Sequence, residues 1–113
     1  MKLKQIAPLL LIVSTLFFMA NANAETIKTN ISGLVLKDLR CSYSYYSGRW
    51  VNRNNQSLGN KRIKIHMYDS DGDRVGIQST YFVNMGAKTG GNFMIGSSDG
   101  SCKSSYRIAV FVE

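Results

Sequence analysis

Asp69, Asp71 and Asp73 stand at alternate positions, the spacing with which a calcium-binding loop begins. Such a loop needs glycine at its sixth position and a bidentate glutamate at its twelfth, and this chain has Arg74 and Thr80 there. The acidic run is therefore read as a polar hairpin turn, with weak calcium binding as the functional alternative. His66 is the sole histidine, so any Ser-His-Asp or Cys-His arrangement would have to use it. Its alternation with Ile65 and Met67 places it on the wetter face of a strand, beside Lys64 and Tyr68. Gly86-Ala87-Lys88-Thr89-Gly90-Gly91 has the composition of a phosphate-cradling loop, but the position that needs its first glycine is Val83, so the segment is read as a connection between strands. No paired carboxylates and no ligand set rise above this background, and neither a catalytic residue, a cofactor nor a metal site is expected.

The remaining reactive residues are Cys41 and Cys102. Their meaning depends on the compartment, and residues 1–24 speak to that. A basic start with Lys2 and Lys4 leads into an apolar run over residues 6–19, followed by the small-x-small pattern Ala22-Asn23-Ala24. This is read as a cleaved signal peptide of bacterial type, giving a periplasmic or secreted chain that starts at Glu25. Pro8, Ser14 and Thr15 interrupt the run, which is short of the roughly 20 residues that span a bilayer, so no transmembrane segment is expected in the mature chain. In an oxidising compartment two cysteines allow one intramolecular disulfide, and a Cys-x-x-Cys redox spacing is missing. Closing so long a loop restricts the unfolded chain by roughly 4 kcal/mol on the chain-entropy view.

Charge is unevenly distributed. Residues 39–68 contain no acidic side chain but hold Arg40, Arg49, Arg53, Lys61, Arg62 and Lys64, together with Tyr43, Tyr45, Tyr46 and Trp50. Removing Lys2 and Lys4 lowers the formal net charge from +7 to +5. Arginines beside amphipathic aromatics are what protein contact surfaces favour. Tyr46, Arg49, Trp50, Arg53, Arg62 and Lys64 are the candidate binding residues, whereas Tyr43 and Tyr45 share the phase of Cys41 and are assigned to the core. The basic charge alone would suit nucleic acid, but export removes that partner.

These side chains have to be positioned by strands. Leu39, Cys41, Tyr43 and Tyr45 alternate with polar residues; so do Ile63, Ile65 and Met67; Val75, Ile77, Ser79, Tyr81 and Val83; and Tyr106, Ile108, Val110 and Val112. Residues 27–36 and 92–95 are noisier candidates. Asp71-Gly72 between two such runs is a strong hairpin signal, and Gly48, Gly59, Gly86 and Gly100 mark other corners. Pro8 is the single proline, so no mature strand is interrupted by one. About six or seven short antiparallel strands predict one small all-β domain over residues 25–113: an immunoglobulin-like antiparallel β-sandwich with one disulfide, or alternatively a small β-barrel.

Ile65-His66-Met67-Tyr68-Asp69, followed by Ser70-Asp71-Gly72 and Val75, resembles the F-x-L-Y-D motif and trailing turn of the FxLYD family of extracytoplasmic domains. Ile31-Ser32-Gly33-Leu34-Val35 is similar to that family's early strand, and Met85-Gly86 leading to Phe93 to its later turn and strand. Ile65 and Met67 replace the aromatic and leucine of the motif, the proline of the later turn is missing, and Lys37 stands where an asparagine is usual. The resemblance implies an immunoglobulin-like sandwich in the cell envelope without an active site.

The function expected is that of a small exported non-catalytic binding domain of the bacterial cell envelope. Its basic, aromatic surface would contact an acidic partner, either a protein or an anionic envelope component. The alternatives are a secreted carbohydrate-binding or toxin-accessory subunit, and a domain that lends or accepts a strand at an open sheet edge.

Overall fold

Alternating apolar residues build two antiparallel sheets that share one core. The computed structural model describes residues 26–113, so the segment expected to be a signal peptide, residues 1–24, and Glu25 lie outside the described residues. The strands are β1 (Thr26–Lys28), β2 (Leu34–Ser42), β3 (Tyr45–Asn52), β4 (Asn60–Lys61), β5 (Ile63–Tyr68), β6 (Arg74–Thr80), β7 (Val83–Asn84), β8 (Gly90–Phe93), β9 (Ile95–Asp99) and β10 (Arg107–Val112), with a 3-10 turn at Cys102–Ser104. One sheet has the order β1-β2-β3-β8, the other β9-β6-β5-β10, and β4 pairs with β7 alone; every pairing is antiparallel. Leu34, Leu36, Trp50 and Phe93 of the first sheet meet Ile63, Ile65, Met67, Ile108 and Val110 of the second in a single buried cluster. The expected all-β antiparallel domain with one disulfide is what the chain forms.

Cys41, near the end of β2, is bonded to Cys102 in the 3-10 turn, with the two Cα atoms 5.8 Å apart. The bond thus ties the first sheet to the approach of the last strand. The Asp71-Gly72 turn also forms where expected. Gly72 takes a φ of 87°, and Asp69 Oδ1 accepts from the amides of Asp71 and Asp73, both at 2.9 Å. The Asp69 carboxylate is therefore occupied in shaping the hairpin. Among the described residues no group of three or more His, Cys, Asp or Glu converges as a metal site.

Two expectations of side-chain phase are corrected. The alternation from Leu39 predicts one uninterrupted strand with Tyr43 and Tyr45 inside. Instead β2 bulges: Asp38 takes a φ of 56°, and Asp38 and Leu39 together face Gly48 between the Lys37–Arg49 and Arg40–Ser47 pairs. The chain then turns at Tyr43 (φ 56°) and Ser44 (φ 88°) between the paired residues Ser42 and Tyr45. These two irregularities leave Tyr43 and Tyr45 88% and 52% exposed, while Tyr46 and Trp50 are buried. Tyr46 and Trp50 are thus core residues and not the surface contacts expected of them. Further along, Val75 is the extra residue of a bulge opposite Met67 and Tyr68, so Gly76, Gln78 and Thr80 face the core and Ile77 faces out. Tyr81, expected inside, lies beyond the end of β6 and is exposed.

Positive φ at two consecutive non-glycine residues is unfavourable by roughly 1 kcal/mol each and needs external anchors. Ser44 supplies them, because its carbonyl accepts from the Cys102 amide at 3.1 Å and from Gln78 Nε2 at 2.7 Å. Replacing Tyr43-Ser44 by Asn-Gly should relieve the strain without touching the core. We expect the unfolding midpoint in urea to rise, corresponding to about 1 kcal/mol; an unchanged or lower midpoint would mean that the turn is not strained.

Glycines allow two large rings to be housed. Gly48 lies opposite Phe93 and Gly91 opposite Trp50, and a Cβ at either position would press on the ring it faces. At the far edge of the second sheet, the Asn30 side chain replaces a strand. Its Nδ2 donates to the Val112 carbonyl at 3.1 Å and its Oδ1 accepts from the Val112 amide at 2.6 Å.

Candidate binding surface

Strands β5 and β10 carry the side chains that the surface requires, because their inner phase is fully apolar and their outer phase is not. Ile63, Ile65 and Met67 point inward at 0% exposure, which turns Lys64, His66 and Tyr68 outward. Across the ladder, Lys64 pairs with Phe111 and His66 with Ala109 on one side and Ile77 on the other. The outer face of this sheet therefore presents apolar groups among cations. Phe111 is 43% exposed and its ring meets that of His66 edge-on, with centroids 5.0 Å apart. Phe82, 60% exposed, lies under the Arg62 guanidinium at 5.0 Å, within cation–π range.

Glu113 shows how these cations hold a carboxylate. Arg62 Nε donates to its Oε2 at 2.8 Å, a terminal nitrogen of the same guanidinium lies at 2.6 Å, and Lys64 Nζ is 3.9 Å away. The hydrogen bond from Arg62 chiefly, aided by the charges of Lys64 and Arg62, holds the Glu113 carboxyl below the usual carboxylate range. Partial burial, together with the charges of Arg74 and Lys64, lowers the pKa of His66, which favours its neutral form. Its ring is thus an uncharged neighbour of Phe111 at neutral pH rather than a further cation.

The six residues expected to bind are not brought together. Arg62 and Lys64 share the surface just described. Arg49 sits on the outer face of the other sheet, between Lys37 and Asn92, and its Nε is bonded to Asp38 Oδ2 at 3.1 Å. Arg53 is exposed in the loop after β3. Tyr46 packs its ring in the core and donates its hydroxyl to Ser105 Oγ at 3.0 Å; burial raises the pKa of this phenol. Trp50 is 4% exposed, and among the described residues its Nε1 is the buried side-chain nitrogen without a hydrogen-bond partner. Its ring therefore serves as core volume.

Phe82 and Phe111 were missed as surface residues, although both left a signal. Phe111 falls on the opposite parity to Ile108, Val110 and Val112, so a strand that buries those three must expose it. Tyr81-Phe82 places two rings side by side, which no single strand face can bury.

No protein-family model, no curated protein and no solved structure matches this chain.

Proposed function

We propose that this protein is a small exported, non-catalytic binding domain of the bacterial cell envelope that engages an acidic partner through the outer face of the β9-β6-β5-β10 sheet. Arg62, Lys64, Phe82 and Phe111 form the centre of that contact. The observation that carries this reading is the arrangement around Glu113, where a guanidinium stacked on an exposed ring holds a carboxylate. An acidic side chain of a partner, or an anionic headgroup of the envelope, would meet the same donors with rings beside it to desolvate the contact. Exposed apolar rings clustered with cations are the usual composition of such interfaces.

Several features support the compartment and class. The disulfide between Cys41 and Cys102 suits an oxidising environment outside the cytosol. Among the described residues no helix is long and apolar enough to cross a membrane. The FxLYD-like segment supplies Ile65 to Tyr68 of β5 and Asp69, which opens the turn. His66, on which the enzyme alternative rests, meets Phe111 edge-on and is kept neutral by partial burial and the charges of Arg74 and Lys64, which suits a contact residue.

Retention of the purified protein on poly-L-glutamate beads and on phosphatidylglycerol vesicles tests the proposal. The double variant Arg62→Glu, Lys64→Glu should bind about tenfold more weakly and lose most of its salt dependence. Glu113→Gln, which frees both cations, should bind more tightly. Arg49→Glu, on the opposite face, should have little effect. Equal retention of all four proteins on both supports would defeat the proposal.

A further inference from the structure

A second site lies away from the basic face. A groove of about 400 Å3 opens between the first residues of β3 and the corner where β8 passes into β9. We propose that this groove binds a neutral saccharide.

Its composition differs from that of the rest of the surface. The chain carries 14 Lys and Arg against 7 Asp and Glu, yet among the described residues none that lines the groove is charged. Tyr46 and Phe93, buried within the core, give it an apolar floor, and the Tyr46 hydroxyl is already committed to Ser105. Tyr45 and Met94 line the same groove at 52% and 71% exposure, so both offer surface to an incoming ligand. Ser47 and Ser97 add hydroxyls that can donate and accept. The volume falls within the range of small-molecule sites, about 300–1,000 Å3.

The backbone adds further polar groups. Strand β8 pairs only with the part of β3 from Gly48 to Val51, so residues 45–47 have no strand on that side, and β9 pairs only with β6. Two strand edges without a partner strand thus border the groove, the Tyr46 amide on the first being bonded to Gln78 Oε1. An added peptide strand would need a straight edge, and β9 does not give one, because its register shifts between Ile95 and Ser97. Gly96, the extra residue of that bulge, packs under the exposed Tyr81; a Cβ there would stand 3.0 Å from the ring. An uncharged ligand that combines apolar C–H faces with many hydroxyls fits such a lining: its ring lies on Tyr45 while its hydroxyls reach those of Ser47 and Ser97. A saccharide has that chemistry.

NMR titration of the purified protein with maltotriose, cellotriose and chitotriose provides the test. At least one of the three is expected to shift the amides of Ser47, Met94, Gly96 and Ser97 and to saturate at millimolar concentration. Tyr45→Ala should weaken that binding about tenfold, the loss of one aromatic contact, with the rest of the spectrum unchanged because the side chain is exposed. Ser97→Val should weaken it also. The variant Arg62→Glu, Lys64→Glu should bind the sugar normally, which separates this site from the acidic-partner reading. The inference is overturned if none of the three trisaccharides moves those amides, if Tyr45→Ala binds as the parent does, or if a neutral extended heptapeptide occupies the groove in their place.

Discussion

Replacing Gln78 with leucine is expected to lower the stability of the domain by about 2–4 kcal/mol, although leucine is the more hydrophobic side chain. Gln78 is fully buried in β6, on the phase that faces the core. Its Oε1 accepts from the Tyr46 amide at 2.9 Å, and its Nε2 donates to the carbonyls of Ser44 at 2.7 Å and Gly100 at 3.2 Å. One side chain thus binds the tip of the β2–β3 hairpin to the loop that leads to Cys102. Leucine would gain about 1–1.5 kcal/mol of transfer energy. It would leave the Tyr46 amide without an acceptor in the core and weaken two carbonyls, at roughly 1–3 kcal/mol for each buried group left unsatisfied. The hydrogen-bond term therefore wins. Urea unfolding should show a lower midpoint with an unchanged slope. A leucine variant as stable as the parent would show that the hairpin tip does not depend on this residue.

The same residue marks the limit of what could be read from the chain. Ile63, Ile65 and Met67, and likewise Ile108, Val110 and Val112, were legible because each strand declares its inner face through a local period of two. The Asp71-Gly72 turn was legible because glycine there meets a local backbone need, and the disulfide because two cysteines leave one pairing. Gln78 was not, because the bulge at Val75 turns it inward and its polar partners, Ser44 and Tyr46, lie more than thirty residues earlier in sequence. Nor did Tyr43-Ser44 look like a turn, since its conformation is imposed by tertiary anchors against local preference. The bulge at Asp38 and that turn together reversed the expected places of Tyr43, Tyr45, Tyr46 and Trp50.

The candidate surface was legible only in part, for a related reason. A basic stretch of sequence says which residues are charged, and sheet membership says which way they face. Arg49 and Lys64 belong to different sheets, so proximity in sequence became separation between the two sheets. Arg62 and Lys64 acquired meaning from Phe82 in a loop, Phe111 in the last strand and Glu113 just beyond it.

Removing the disulfide should have an effect of similar size and, because of where it sits, should couple to Gln78. The double variant Cys41→Ser, Cys102→Ser opens a link between residues 61 apart in sequence, and a loss of about 3–4 kcal/mol is expected from the freedom returned to the unfolded chain. In a domain of this size, with total stability of roughly 5–10 kcal/mol, that is a large share. Calorimetry of the variant should show a melting temperature lowered by more than ten degrees, since about 1 kcal/mol moves it by roughly 4–8 °C at this length. The Cys102 amide and Gln78 Nε2 both bond to the Ser44 carbonyl, so the disulfide and Gln78 hold one hairpin tip. Once either is lost, the tip with its two positive-φ residues can relax, and the second anchor has less left to hold. The combined variant should therefore lose less stability than the two separate losses added together, by about 1 kcal/mol. Strict additivity would show instead that the covalent and hydrogen-bonded anchors act on independent parts of the fold.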